Sequence, residues 1–294
     1  MSGLAELSPA AEPAVRDHRG SAVAPSAFGD DLRRFVSLTW TLAVTDFKLR
    51  FFGSILGYVW SLMRPLLFFG VLWVVFVKVF HIGTVYGYPV YLLTGIIFWT
   101  FFLEATNACV VCLVAREGLL RRMRFPRLVI PAAAVLTAMF NLATNFVAVL
   151  VFALASGHMP RLSWLEMPVL VALLAILALG VGMILSVLYV RFRDIQPIWE
   201  VTGQALFYAT PIIWPLARLH PSQHLLKHVV VSSPLGAIMV QMYKAFINPS
   251  APSFIDAVGG GILRPLLPFG LIFVVFGLGL WLFNREAPRI AENL

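Results

Sequence analysis

The sequence has few charged residues and lacks the common motifs of enzymes. Only 12% of its 294 residues are charged, whereas soluble domains carry about 25%. Each of the four lysines is followed by Leu, Val, His or Ala, so the Gly-Lys-Ser/Thr of a P-loop is missing. The His-Glu-x-x-His and Gly-x-Ser-x-Gly signatures are missing too. We therefore predict that the chain is not an enzyme, has no catalytic residues and binds no metal or cofactor itself.

Cysteine is also scarce. The two cysteines, Cys109 and Cys112, lie inside an apolar run, and no further cysteine or nearby histidine completes a set of metal ligands. We interpret both as small core residues rather than as a metal site.

Apolar residues, by contrast, make up 60% of the sequence. They form several runs long enough to cross a bilayer, which takes roughly 20 residues of helix. The runs 66–77 and 169–179 are apolar on every face, unlike the alternating strands of a β-barrel. The fold class that we predict is an all-α polytopic membrane protein.

The apolar pattern predicts six transmembrane helices. They cover residues 65–80, 89–114, 131–156, 164–190, 198–216 and 265–283, and the prolines near their starts are interpreted as first-turn residues. Residues 1–29 are predicted to be a disordered cytoplasmic tail, and 30–56 an amphipathic helix at the membrane interface. Residues 57–294 then form the transmembrane domain. Between helices 5 and 6, the stretch 233–247 is apolar but too short to cross, which favours a re-entrant helical hairpin.

Positive charge indicates the orientation in the membrane. On this map 15 of the 22 Lys and Arg residues lie on one side and five on the other. Because basic residues are retained on the cytoplasmic side, we predict a multi-pass protein with both termini in the cytoplasm. The net charge of +8 therefore reflects membrane orientation and not binding to nucleic acid, for which the sequence offers no basic soluble domain.

Polar side chains within the apolar helices have three interpretations. Glu104 and Asn107 share one helix face, and Asn141 and Asn145 share a face of the next helix. They could form hydrogen bonds between helices, line a pore or couple transport to protons. Glu200 lies about one turn inside the cytoplasmic end of its helix, where water can reach it.

Aromatic residues make up 13% of the chain. Many would anchor helices at the membrane interface or face lipid, and others would line a channel in which sugar rings stack and slide. The candidates for a transport path are Tyr58, Trp60, Phe69, Trp73, Trp199, Phe207 and Tyr208.

A short basic segment, residues 116–127, joins the second and third predicted membrane helices. Its residue pattern predicts a short amphipathic helix that ends in Phe125-Pro126. It can be an ordinary basic cytoplasmic loop, or a rigid aromatic tip that inserts into a groove of a partner.

Four motifs in register resemble the ABC-2 type permeases of polysaccharide, O-antigen and teichoic-acid exporters, over residues 31–285. Residues 46–66, DFKLRFFGSILGYVWSLMRPL, are similar to the family pattern D-x-K-x-R-Y-x-x-S-x-L-G-x-x-W-x-x-x-x-P-L, with Phe51 in place of Tyr. Residues 119–127, LLRRMRFPR, resemble L-[IL]-x-K-[VI]-x-F-P. The third motif is RFRDI at 191–195, followed by FYATPIIWP at 207–215. The fourth is SPL at 233–235, where the family often has Asn-Pro.

The resemblance implies a transport subunit of an exporter in the cytoplasmic (inner) membrane of a bacterium. Two copies of the chain would work with two copies of an ABC ATP-binding subunit, which carries the ATP and magnesium. The substrate would be a lipid-linked glycan such as an O-antigen, galactan, capsule or teichoic acid, and membrane lipids would surround the pair. The residues implied in coupling to the ATP-binding subunit are Asp46, Lys48, Arg50, Arg121, Arg122, Arg124, Phe125, Pro126, Arg193 and Asp194.

Three alternatives remain open at this stage. An ABC-2 exporter of a drug or small lipid would need a cavity that accepts compact hydrophobic molecules. An ion-driven carrier would need Glu104 or Glu200 to titrate during transport. A membrane scaffold would transport nothing.

Overall fold

The chain folds into helices that are mostly long enough to cross a bilayer. A computed structural model describes residues 32–51, 55–81, 85–118, 126–216, 224–258 and 266–293, and the side chains of 51, 55, 56, 58, 224–226 and 287–293 are outside this description. No β-strand occurs among these described residues. The α-helices are α1 Leu32–Phe51, α2 Ile55–Trp73, α3 Tyr88–Ala115, α4 Val129–Ala155, α5 Glu166–Arg191, α6 Ile195–Ala209, α7 His224–Ser232, α8 Pro234–Met242, α9 Phe254–Val258 and α10 Leu266–Asn293.

Five segments have the length and apolar composition of membrane spans. They are Val59–Val79, Tyr88–Ala115, Val129–Ala155, Leu162–Arg191 and Leu266–Glu286. They match five of the six predicted helices, and the predicted polytopic helical class is confirmed. The first begins six residues before its predicted start and continues through a π-helix, Val74–Val79.

Helix α3 lies at the centre of the molecule and packs against α4, α5, α2 and α6. Its most apolar window is 67% buried, whereas that of the first span is only 6% buried. A helix that is apolar on all faces can be surrounded by other helices, which explains this central position. Gly87, in the left-handed region with φ 65°, precedes α3, and Pro89 lies in its first turn.

One predicted proline position is wrong. Pro65 lies inside α2 and not at a helix start, because the helix begins ten residues earlier, at Ile55. A proline in a helix interior has no N–H for the carbonyl four residues before it. Pro65 therefore interrupts the hydrogen bonding of α2 near its middle.

The predicted fifth span, residues 198–216, is helical only as far as Ala209. The chain then turns through Pro211 to Trp214 without helical hydrogen bonds, so this segment is absent from the five candidate spans. The Tyr91 hydroxyl donates to the carbonyl of Pro211, and the Tyr88 hydroxyl donates to that of Ile213 at 2.7 Å. Irregular backbone within a membrane protein needs such partners, and α3 supplies them.

The stretch predicted as a re-entrant hairpin consists of short helices. Ser233 caps α8 by accepting a hydrogen bond from the N–H of Gly236 at 3.1 Å, and a π-helix, Tyr243–Ile247, follows. In the next turn, the hydroxyl and backbone N–H of Ser253 donate to the Asp256 carboxylate, which holds the pKa of this carboxyl below its ordinary value. Helices therefore form at the predicted place. Their depth in lipid stays a prediction.

Helices α5 and α10 cross at very short range. A Cβ built on Gly180 would lie 2.8 Å from the Cα of Phe276, and one built on Gly279 would meet the carbonyl oxygen of Gly180. Small residues allow membrane helices to approach each other this closely. The two glycines thus determine how tightly α10, the last span, packs against α5.

We expect Gly180→Ala to destabilise the protein by about 1–3 kcal/mol, the usual cost of overpacking. The added methyl group would meet backbone atoms of α10, which cannot rotate away as a side chain can. Gly277→Ala in α10 is the matched control, since a Cβ there has nothing within 4 Å. Melting temperatures of both variants in one detergent measure the difference, and equal melting would contradict the close crossing.

Candidate functional site

A large cavity lies between α1, α2, α3, α4 and α6. Its volume is about 1220 Å³, above the roughly 300–1,000 Å³ typical of small-molecule sites. Its wall combines charged, amide and aromatic side chains. The polar and aromatic residues of the wall are Asp46, Arg50, Trp60, Ser61, Arg64, Phe68, Trp99, Thr100, Glu104, Asn107, Arg116, Thr137, Asn141, Gln204, Phe207 and Tyr208.

Glu104 is the centre of a polar contact between three helices. Its carboxylate accepts hydrogen bonds from Arg50 of α1 and from the side-chain amide of Asn141 in α4, the latter at 2.6 Å. The Asn145 amide donates in turn to the Asn141 carbonyl at 2.9 Å. The interhelical hydrogen bond predicted for these residues is therefore confirmed. Glu104 and Asn107 also line the cavity. Lining of a transport pore and coupling to protons stay predictions.

A second ion pair connects α1 to the end of α3. Arg116, which directly follows α3, donates to the carboxylate of Asp46. Asp46 and Arg50 are four residues apart and share one face of α1. This face is thus attached to α3 at two points on the cavity wall. The basic segment that starts at Arg116 is thereby joined to α1.

The remaining cavity wall is largely aromatic. Phe207 of α6 contacts Phe68 of α2, with ring centroids 5.6 Å apart, and Trp99 of α3 at 5.8 Å. Trp60 and Tyr208 also line the cavity and are 59% and 67% exposed. Of the predicted transport-path residues, the structure brings Trp60, Phe207 and Tyr208 together in this cavity.

Three other predicted path residues lie outside the cavity wall. Phe69 packs edge-on against Phe152 of α4, with centroids 5.5 Å apart. Trp73 lies under Lys78, whose Nζ is 5.9 Å from the ring centroid. Trp199 donates from Nε1 to the Thr106 hydroxyl at 3.0 Å. The side chain of Tyr58 lies outside the described residues.

The residues implied in coupling are spread over several elements. Lys48, Arg193 and Asp194 are exposed, and the Arg193 guanidinium lies 5.0 Å from the centroid of the Tyr189 ring. Pro126 begins the short turn before α4. Asp46 and Arg50 bind α3, as described above. The other coupling residues, Arg121, Arg122, Arg124 and Phe125, lie outside the described residues.

Sequence reasoning did not assign Arg64, Phe68 and Trp99 to a site, although all three line the cavity. The available signal was a charge directly before the predicted first helix, 65–80; the structure places Arg64 inside the span Val59–Val79, where a charge often has a function. Phe68 and Trp99 gave no such signal, because aromatic residues also occur throughout the apolar helices.

Cys109 and Cys112 are buried free thiols, as predicted for core residues. Among the residues described by the structure, no group of three or more His, Cys, Asp or Glu side chains is arranged to hold a metal ion. The wall of the cavity combines charge pairs with aromatic faces, and such a lining is suited to binding a large polar molecule. Glu200 is exposed and accepts a hydrogen bond from Gln196 at 3.3 Å.

Comparison with known proteins gives consistent matches. The model of the family described as ABC-2 type transporter matches residues 37–247. The O-antigen export system permease protein RfbA of Klebsiella pneumoniae is 28% identical over 250 residues, 85% of this chain and 92% of the relative. RfbA of Myxococcus xanthus is 25% identical over 268 residues, 90% and 98%. The polysialic acid transport protein KpsM of Escherichia coli is 26% identical over 248 residues, 84% and 93%.

Proposed function

We propose, since the chain belongs to the ABC-2 type transporter family, that it is the permease subunit of an ATP-driven exporter of a cell-envelope polysaccharide. Relatives named for O-antigen export and polysialic acid transport align over 84% or more of the chain. The alternative substrate, a drug or small lipid, is not favoured by these names. The proposed cargo is a lipid-linked glycan of the O-antigen, galactan, capsule or teichoic-acid type.

The observation that carries the proposal is the aromatic cavity. The rings of Trp60, Phe207 and Tyr208 line the cavity, and Asn107 and Gln204 add amide groups. Flat apolar rings with polar edges bind sugar faces without fixing one orientation, which a polymer that slides through requires. A volume of about 1220 Å³ leaves room for more than one sugar residue.

In the proposed topology six helices cross the bacterial inner membrane, and both termini are cytoplasmic. Helix α6 with the irregular segment up to Leu216 serves as the fifth crossing, and α7–α8 form the re-entrant hairpin. Helix α1 lies at the membrane interface. Leu32, Val36 and Trp40 support this placement, because they recur every four residues and are 71%, 55% and 56% exposed. Residues 1–29, 30–56 and 57–294 are accordingly the tail, the interfacial helix and the transmembrane domain.

The proposed assembly contains two copies of this chain and two ATP-binding subunits that hold ATP and magnesium. The exposed apolar face of the first span supports a second copy, since a span with 6% of its most apolar window buried has room for a partner or lipid. ATP hydrolysis on the partner subunits would move the permeases as rigid bodies. This chain then contributes the path and no chemistry of its own.

Deleting the gene for this chain is expected to remove the polymer from the cell surface and to leave lipid-linked glycan inside the cell. Affinity purification of the chain in mild detergent should also recover a P-loop ATPase in equal amount. A cell with normal surface polymer and no internal glycan would refute the substrate class. Repeated absence of an ATPase would refute the ABC mechanism separately.

Coupling through the basic segment has its own test. The double substitution Arg124→Ala with Phe125→Ala should reduce export about tenfold or more, as expected when interface contacts of at least about 1.4 kcal/mol are lost, while ATP hydrolysis continues. Arg161→Ala is the control, since Arg161 is exposed and lies on the predicted outer side. Export and hydrolysis are measured in the same proteoliposomes. Export at the normal rate by the double variant would remove the coupling role.

A further inference from the structure

Within the part of the chain that the structure describes, one arginine of the cavity wall has no carboxylate partner. Three arginines and two carboxylates line it: Arg50, Arg64, Arg116, Asp46 and Glu104. Both carboxylates are used, because Glu104 pairs with Arg50 and Asp46 pairs with Arg116. Among the described residues, this leaves the exposed guanidinium of Arg64 as the unpaired positive charge of the cavity wall.

Arg64 lies between two aromatic residues on one stripe of α2. Trp60, Arg64 and Phe68 are spaced by four residues, so their side chains follow each other along the helix, and all three line the cavity. The cation therefore stands in a row with aromatic faces. Such a row can bind an anionic group and the sugar attached to it at the same time.

A second stripe of α2 runs beside the first and is apolar. Met63, Leu67 and Val71 are 38%, 54% and 62% exposed, although they belong to a span with the composition of a membrane helix. A molecule that touches both stripes needs an anionic part for the cavity and a hydrocarbon part for the adjacent surface. A lipid with a phosphate group has both parts.

The depth of Arg64 also fits a lipid phosphate. It lies five residues after Val59, where the span begins, which is about 7–8 Å along the helix axis. Helical side chains lean toward the N-terminus of their helix, and long arginine side chains extend to the polar layer of the bilayer. The guanidinium can thus reach the layer in which lipid phosphates lie.

We propose that Arg64 binds the phosphate that joins the exported glycan to its lipid carrier, while the carrier chain lies along Met63, Leu67 and Val71. This inference rests on the proposed export function, because the carrier is its substrate. A guanidinium makes two parallel hydrogen bonds to a phosphate. Arg64 would thereby hold the carrier phosphate beside Trp60 and Phe68, where the first sugar meets the aromatic wall.

The test uses the chain in complex with its ATP-binding subunit, in phosphatidylcholine nanodiscs. The probe is a radiolabelled long-chain polyprenyl phosphate, and the competitors are the uncharged polyprenol of equal length and phosphatidylglycerol. The variants are Arg64→Gln and Arg64→Lys. Lys78→Gln is the matched control, because it removes one positive charge from the same span at a position outside the cavity wall.

Arg64→Gln is expected to weaken binding of polyprenyl phosphate about tenfold to hundredfold, the range for hydrogen bonds to charged groups. Arg64→Lys should lose only a few-fold, because it keeps the charge but not the paired hydrogen bonds. Lys78→Gln should bind like the wild type. Polyprenol and phosphatidylglycerol should compete at least about tenfold less well than unlabelled polyprenyl phosphate.

Three results would overturn the inference. Binding by Arg64→Gln at the wild-type level would exclude a role for the guanidinium, and equal competition by phosphatidylglycerol would assign the site to ordinary membrane lipid. If Arg64→Lys and Arg64→Gln lose binding affinity equally, recognition of the phosphate by charge is excluded and a steric role of the side chain is indicated. The assay requires no transport. If the complex exports glycan but binds the probe independently of Arg64, this inference is wrong and the proposed function stands. If binding depends on Arg64 but the complex exports no glycan, only the proposed function is wrong.

Discussion

Replacing Glu104 with alanine is expected to destabilise the protein by about 2 kcal/mol and to remove the contact of Arg50 in α1 with α3. Removing one partner of a fully buried ion pair costs about 3–5 kcal/mol, and an exposed pair is worth about 1 kcal/mol or less. The Glu104 pair lies between these limits, since the Glu104 side chain is 16% exposed and that of Arg50 is 48% exposed. The Asn141 amide also loses its acceptor.

The charge reversal Arg50→Glu with Glu104→Arg tests whether attraction between these two groups is responsible. The double variant should recover at least half of the stability lost by Glu104→Ala, whereas each single reversal should be worse than alanine because like charges then meet. Glu200→Ala is the matched control. It removes a carboxylate that contacts only Gln196 among the described residues, so a change below about 0.5 kcal/mol is expected. Thermal unfolding of all five variants in one detergent gives the comparison, and a Glu104→Ala variant as stable as the wild type would contradict this role.

The second large effect concerns the aromatic cavity wall. Trp60→Ala combined with Tyr208→Ala is expected to reduce export about tenfold or more, if each ring contributes about 1 kcal/mol to holding the polymer. The melting temperature should stay close to that of the wild type, because both side chains are more than half exposed and truncating them leaves no internal cavity.

Phe69→Ala should give the opposite result. Its ring packs against Phe152 and lies outside the cavity wall, so truncation should lower stability by about 2 kcal/mol or more and leave export per folded molecule unchanged. Export by purified protein in proteoliposomes and melting in detergent separate the two effects. Wild-type export by the Trp60 and Tyr208 double variant would exclude this wall as the polymer path.

Local sequence features predict the central helix well and its partners poorly. Residues 89–114 were predicted for α3, which extends over Tyr88–Ala115. The agreement is close because this segment is predominantly apolar, is preceded by Gly87 and has Pro89 in its first turn. Its ion pairs were not predictable, since Arg50 and Glu104 are 54 residues apart in the sequence. The available signal was a carboxylate inside an apolar helix, which requires a partner of some kind.

The end of α6 was mispredicted for a similar reason. Residues 198–216 contain enough apolar residues for a span, yet the helix ends at Ala209. Pro211 favours a break there, but a break inside a membrane protein is stable only if its carbonyl groups find donors. Those donors are Tyr88 and Tyr91, more than a hundred residues earlier, so the pairing depends on the tertiary fold.

The aromatic residues show the same limit. Trp60 and Phe69 belong to one helix and have similar neighbours in the sequence. Their side chains point in different directions: that of Trp60 lines the cavity, and that of Phe69 contacts α4. Helix periodicity separates the two faces, but the choice of the face that borders the cavity depends on how α2 packs against α3.

The hydroxyl contacts of Tyr88 and Tyr91 have a consequence for motion. They attach the backbone just after α6 to the rigid central helix at two points. The beginning of α6 is about 21 Å away along its axis. It contacts α3 through Trp199, which donates to the Thr106 hydroxyl and lies 6.3 Å from Phe102 between ring centroids. We therefore expect α6 to pivot about its Pro211 end, where displacement is smallest. The displacement of α6 would then be largest at Ile195 and small at Gln204, Phe207 and Tyr208, the residues by which this helix borders the cavity.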